Sequence, residues 1–327
     1  MKSRSIAPHI VAFCALFGCG RSESPNAERV SLKIGVRPLL TVAPVYIAHG
    51  AGLYAEQGLN VELVPIEGVA TALPLLIQGK LDVLPGPVSP GFFNAIQRGG
   101  RLRIVGDKGQ YFRDDCPQTV FVKSPAFAAR GGRPRRIGVQ KETFNRMFVE
   151  RALIAHGVNP DSVEQVSLPK AAEYDALVSG RIDAANLGEW WLTRALEKGA
   201  VPWAHVNDMM AGVQYSVIAY GPTLLDEHPD IGRRVAIAHL KAMQMYNEGK
   251  TERNLSIMAS ALGASEDDLR GICWPRMRED GMIDTTSLLD FQAWARARGE
   301  LDGIVPASEF WDSRFVDAAN LALRQAR

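Results

Sequence analysis

The sequence predicts an α/β chain of two related lobes, each a largely parallel sheet flanked by helices, with a helical C-terminal tail. Three observations carry that prediction. First, a helix–turn–strand unit occurs twice: Leu76-Ile77-Gln78-Gly79-Lys80-Leu81-Asp82 aligns with Leu177-Val178-Ser179-Gly180-Arg181-Ile182-Asp183. In both, Gly stands where a chain leaves a helix through positive φ, and an apolar residue beside Asp opens a buried strand. Second, a similar strand precedes each copy. Lys33-Ile34-Gly35-Val36 puts Gly35 44 residues before Gly79, and Arg136-Ile137-Gly138-Val139 puts Gly138 42 before Gly180. A seven-residue match alone is common; the matching upstream strand makes duplication the better reading. Third, strand-like and helix-like segments alternate through both units, the rhythm of βαβ structure. Two related lobes imply a cleft between them.

Taken in order, 30–36 alternates as a strand, 37–41 is a loop at its carboxyl end, and 44–54 is a helix with Pro44 in its first turn. Strand 61–65, helix 70–78 and strand 81–84 complete the first unit. Ser89-Pro90 reads as N-cap and first helical position of 91–97. Strand 103–106 follows, then a polar loop over 107–115 holding Tyr111 and Phe112, then strand 119–122 in the second lobe. That lobe continues with strand 136–139, helix 143–156, strand 162–167, helix 170–179, strand 182–186, helix 190–198 and strand 203–206. The apolar segment 214–219 returns to the first lobe. From Asp226 onward the periodicity is helical only, over 231–246, 254–262, 265–273, 286–298 and 312–324. Ser265 and Asp268 resemble a capping box with Asp in place of Glu. The domain reading is therefore a leader over 1–18, a tether over 19–29, a first lobe from 30–117 and 216–327, and a second lobe from 118–215.

At 327 residues the chain holds about two domains with substantial cores. Hydrophobic content of 46%, charged content of 22% and a net charge of +1 are those of an ordinary globular protein and give no sign of a nucleic-acid partner. No metal spacing such as Cys-x-x-Cys occurs, and no cofactor motif is present. Lys2 and Arg4 precede a mostly apolar run over 6–17, which suits a secretory leader. Cys116 and Cys273 are left in the body of the chain. An oxidising compartment permits their pairing, and two buried free thiols are an equal reading.

Several of these stretches together resemble a known family. They are Ala51-Gly52-Leu53-Tyr54-Ala55-Glu56-Gln57-Gly58-Leu59 with Val61-Glu62-Leu63, the segment Leu76 to Asp82, and Ile137-Gly138-Val139 before a helix opening at Thr143. With the leader, whose Leu16-Phe17-Gly18-Cys19 is similar to a bacterial lipobox, they resemble a substrate-binding protein of an ABC transporter with the type 2 periplasmic binding fold. The resembling group serves nitrate, taurine, aliphatic sulfonates and thiamine pyrimidine precursors. The resemblance implies a small-molecule ligand between the lobes, no catalysis, permease and ATPase partners, a monomer, a periplasmic or outer-membrane-face location, and a lipid anchor at Cys19. It implies no cofactor. Ordinary signal cleavage is the alternative to lipidation.

The implied ligand loops lie at strand ends. They contain Arg37, Leu39 and Thr41; Ala70 and Thr71; Pro87 and Ser89; Lys141, Thr143, Phe144 and Asn145; and Glu189 with Trp190. Tyr111 and Tyr215 line the same cleft or pack the hinge. Ligands of open α/β sheets sit beyond the carboxyl ends of the strands, where helix N-termini favour anions. Arg37 and Lys141 add positive charge, or are surface loop charges. Ser89 and Thr143 are first of all N-caps. Glu189 beside Trp190 and Trp191 suits a cationic or heteroaromatic group; its plainer reading is a helix cap with an indole plugging the lobe interface. Arg37 and Glu189 together suit a zwitterion or a polar aromatic. The alternatives to transport are an enzyme on the same fold and a lipid-anchored sensor or carrier.

Overall fold

The computed structural model describes residues 29–139 and 144–326. The leader, Cys19, Lys141 and Thr143 lie outside the described residues. The first sheet is built from β1 (Val30–Val36), followed by the helices α1 (Ala43–Gly50) and α2 (Leu53–Glu56). Next come β2 (Leu59–Pro65), α3 (Val69–Ile77), β3 (Val83–Pro87), α4 (Pro90–Gln97) and β4 (Arg103–Gln110). The chain then crosses to β5 (Thr119–Lys123), α5 (Pro125–Arg130), β6 (Arg136–Gly138), α6 (Phe144–Ala155), β7 (Glu164–Val166), α7 (Lys170–Val178), β8 (Ala184–Gly188), α8 (Glu189–Glu197), β9 (Val201–His205) and α9 (Val206–Met209). It returns as β10 (Gln214–Tyr220). The tail comprises α10 (Pro229–Asn247), α11 (Glu252–Leu262), α12 (Glu266–Gly271), α13 (Thr285–Ala297), α14 (Ala307–Phe310) and α15 (Arg314–Gln325).

The strand orders are β2-β1-β3-β10-β4 and β7-β6-β8-β5-β9. They are one topology used twice: in each sheet the only reversed strand is the one delivered by a crossing, β10 in the first and β5 in the second. The duplicated motif explains why. Gly79 and Gly180 both take positive φ, 67° and 72°, where Cβ strain would penalise another residue. Both turns then feed a strand that meets the first strand of its lobe: Asp82 N–H donates to the Lys33 carbonyl at 2.9 Å, and Asp183 N–H to that of Arg136 at 2.7 Å.

Strand side chains alternate between two faces, and the core follows that period. On β10, Ile218 and Tyr220 join the cluster under α1 and α10, while Val217 and Ala219 join the one under α4 and α13. The second of these clusters does not stop at a lobe boundary. It runs through Phe291 of α13 to Phe144, Phe148 and Leu153 of α6, in the other sheet's layer. Phe144 and Phe291 stack at 4.1 Å. Beside them Glu150 accepts from the Trp294 indole at 2.9 Å and from Arg146 and Arg298. The helical tail thus ties the two sheets together behind the gap.

Three local expectations change. The helix expected over 44–54 breaks at Gly52, whose φ of 75° separates α1 from α2. The polar stretch after 106 is not a loop: β4 runs on to Gln110, and Asp107 and Lys108 are buried. Cys116 and Cys273 form a disulfide that fastens the first crossing to the tail. Arg276 reinforces the same junction, its backbone N–H on Asp115 at 2.5 Å and its guanidinium over the Phe112 ring.

Candidate functional site

The carboxyl ends of β1 and β8 face each other across the gap. On the first-lobe side the chain leaves β1 at Arg37, closes a tight turn with the Leu39 N–H on the Arg37 carbonyl at 2.8 Å, and enters a single helical turn, Leu40–Val42, that leads into α1. The Tyr46 hydroxyl donates to the same Arg37 carbonyl at 2.9 Å. Under this turn lies Lys108 of β4, whose ammonium donates to the Thr41 carbonyl at 2.8 Å. Burial pushes the Lys108 pKa down to about 7; neighbouring Asp107 opposes the shift and Arg37 adds to it. Arg37 is itself lowered by burial, with Glu189 opposing. Asp107 projects to the other face of the strand. Burial raises it to about 6 against hydrogen bonds from Gln214 and the Gly109 N–H.

The second-lobe side is made by the starts of α6, α7 and α8. Asn186 of β8 donates to Asn145 at 3.2 Å, and Lys170 donates to the Asn186 carbonyl and to Glu173, both at 2.7 Å. Glu173 is raised by burial, with Lys170 opposing. At the β8–α8 corner no linker residue intervenes. A Cβ on Gly188 would collide with the Gln118 carbonyl oxygen, so the corner is tight. The turn falls on Glu189, which at φ 52° is the one non-glycine residue in the left-handed region among the described residues. Such a conformation costs about 1–2 kcal/mol. It aims the carboxylate at the other lobe, where Oε1 accepts from the Leu40 N–H at 3.2 Å. Burial raises the Glu189 pKa; the Leu40 N–H, Lys170 and Arg37 oppose.

The remaining candidates divide. Leu39 and Trp190 are partly buried against the first-lobe core, so Trp190 reaches across from the second lobe. Trp191 turns back into its own lobe beside Tyr174, at 5.5 Å. Ser89 occupies the N-cap of α4 but its hydroxyl makes no cap bond. Pro87, at the end of β3, is partly buried. Ala70 and Thr71 are exposed at the start of α3, with the Thr71 hydroxyl on the Gly68 carbonyl at 3.0 Å. Tyr111 and Tyr215 stack on each other at 4.3 Å within the two crossing strands and are buried. Phe144 is buried against α13. The structure therefore brings Arg37, Thr41, Glu189 and Trp190 to one rim, with Asn145 on the second-lobe wall. It puts the two tyrosines at the hinge and Phe144 in the core. Lys108, Lys170 and Asn186 belong to the same walls and went unread. Lys108 stood in a stretch whose polar composition masked a buried strand. A surface hollow of about 480 Å³ lined by Ser31, Lys33, Glu62 and Lys80 opens at the amino ends of the strands, away from this rim.

A protein-family model, the NMT1-like family, matches residues 25–112 and 118–263. The chain belongs to the NMT1-like family. The solved structures it resembles share its fold at low identity. The ligand-binding component of an ABC-type import system from Staphylococcus aureus, solved with zinc bound, superposes with a TM-score of 0.73 at 15% identity, covering 89% of this chain and 99% of that one. The periplasmic nitrate-binding protein NrtA from Synechocystis gives 0.69 at 15%, covering 90% and 89%. The aliphatic sulphonate-binding protein SsuA from Escherichia coli gives 0.68 at 15%, covering 86% and 92%. In sequence, the bicarbonate transport ATP-binding protein CmpC from Synechocystis is 27% identical over 195 residues, 53% of this chain; the match spans 28% of that relative. This NMT1-like chain thus has the two-lobed periplasmic-binding fold. Among its described residues no group of His, Cys, Asp and Glu is arranged to hold a metal ion, and no helix is long and apolar enough to cross a membrane.

Proposed function

We propose that this protein is the solute-binding component of an ABC importer. It works outside the cytoplasm and closes two lobes on a small organic or anionic solute without converting it. The observation that carries this reading is the rim: two copies of one sheet topology, joined by two crossing segments, meet at strand carboxyl ends. There Arg37, the Leu40 N–H and Glu189 converge from opposite sides. A solute touching both walls adds contacts only when the lobes approach, so it favours the closed form by its differential affinity. The closed form presents a surface to a membrane permease, and the matching ATPase drives uptake. Family membership and the names of the fold relatives support this class. They point to nitrate, sulfonates and bicarbonate as first solutes to try. Within the same reading Cys19 carries a lipid anchor and the protein acts as a monomer. Arg37, Thr41, Ser89, Lys141, Thr143, Asn145, Glu189 and Trp190 are the first residues to test as solute contacts.

The test is a thermal-shift and calorimetric screen of nitrate, bicarbonate, sulfonates, amino acids, pyrimidines and flavins. One chemical class is expected to raise the melting midpoint with concentration. Chemical turnover of the bound compound, or no response to any class, overturns the assignment. Metabolic labelling with palmitate, abolished in Cys19→Ser, tests the anchor.

A further inference from the structure

We propose that the Glu189 carboxylate is an internal anion standing in the solute's place: it bridges the lobes, and a solute's own anionic group binds by displacing it from the Leu40 N–H. This rests on the solute-binding reading and names the solute class of the same rim. Three independent features meet at Glu189. Its carboxylate crosses from the start of α8 to the N–H that opens the first-lobe turn, at 3.2 Å. Its backbone holds a left-handed conformation that no other described non-glycine residue adopts, and that conformation turns the side chain out of its own lobe. The wall it reaches is cationic. Arg37 lies close enough to feel its charge, and Lys108 is buried beneath the adjacent carbonyl of Thr41, its single printed acceptor among the described residues. A buried ammonium with three donors and a partly buried guanidinium call for negative charge nearby, and Glu189 supplies it.

The consequence is a rule for solutes. A simple monoanion that displaces Glu189 leaves two negative charges crowded against one cationic wall. A small zwitterion places its oxyanion on Arg37 and the Leu40 N–H, and gives the freed Glu189 a cationic or N–H donor within the same gap. The rim therefore selects small oxyanions that carry an amino group a few bonds away and discriminates against the same skeleton without it.

The experiment uses two matched probe pairs, ethanesulfonate against 2-aminoethanesulfonate and propionate against 3-aminopropionate, titrated into the full chain and into Glu189→Gln. Glutamine keeps the shape and removes the charge. The wild type is expected to bind the amino member of a pair at least tenfold more tightly. The Gln variant is expected to gain tenfold or more for the plain anion and to lose its preference for the amino member. Unchanged plain-anion affinity in Glu189→Gln overturns the proposal, as does no binding of any probe by that variant. A second measurement needs no solute. Glu189→Ala is expected to speed hydrogen exchange of the Leu40 amide more than tenfold and to enlarge the radius of gyration in small-angle scattering; if both are unchanged in a variant that melts like the wild type, Glu189 is not the bridge. The importer reading fails separately, when the wild type answers none of the wider solute screen although the bridge responds.

Discussion

Asp82 in the first lobe accepts a hydrogen bond from the Lys33 N–H at 2.7 Å. Asp183, its counterpart, accepts from the N–H groups of Arg136 and Arg135 at 3.2 and 2.5 Å and from the Arg130 guanidinium at 2.9 Å. The repeat thus assigns the same job to both aspartates, anchoring the start of a lobe's first strand. The second lobe adds a charge partner and buries the site more deeply, with Asp183 only 9% exposed. At the other end of the same units the lobes diverge. After β3 the chain spends Val88 and Ser89 before α4 begins, whereas after β8 the helix starts at once on Glu189. The duplicated scaffold fixes where strand ends meet. The loops, free of packing constraint, set opposite charges on the two rims.

Substitutions sharpen or break that comparison. The largest effect is expected where the lobes are joined. Phe291→Ala empties a fully buried site that touches Phe93, Phe144 and Trp294, and should lower unfolding free energy by about 3–5 kcal/mol in chemical denaturation. Opening the Cys116–Cys273 link, which closes a sequence separation of 157 residues, should remove about 2–4 kcal/mol, measured as the midpoint difference between the wild type and the double Ser variant. The paired aspartates should split: about 2 kcal/mol for Asp183→Ala and about 1 kcal/mol for Asp82→Ala, since the first loses more hydrogen bonds. Equal losses would contradict the asymmetry.

Lys108 gives a pH signature. Its folded pKa of about 7 lies below the usual lysine value of 10.5, so between them the unfolded chain binds the extra proton and stability rises with pH. At lower pH, Asp107 is raised to about 6, so its contribution falls as pH climbs from about 4. His239 is lowered to about 4, so its contribution rises over nearly the same range and offsets it. Melting midpoints should therefore climb between pH 7 and 10 in the wild type, and the climb should shrink in Lys108→Met. The smallest pair concerns caps. The Ser265 hydroxyl accepts from the Asp268 N–H at 3.1 Å, so Ser265→Ala should cost about 1 kcal/mol, whereas Ser89→Ala, which removes no cap bond, should leave stability unchanged.

The lobe duplication was legible because it rests on local chemistry: a glycine where φ must be positive, an aspartate at a strand start, and apolar periods of two and 3.6. Those same signals ordered the strands and helices and marked Arg37 and Glu189 as strand-end charges. What only the tertiary structure decided is which polar residues are buried and what they meet. Lys108 reads as a loop residue until β10 pairs beside β4 and closes over it. Phe144 reads as a cleft aromatic until α13, far along the chain, stacks on it. Glu189 reads as a helix cap until the opposite lobe brings the Leu40 N–H to its carboxylate. Contacts between residues more than a hundred positions apart leave no period in a sequence, because they are fixed by how finished elements pack rather than by the residues beside them.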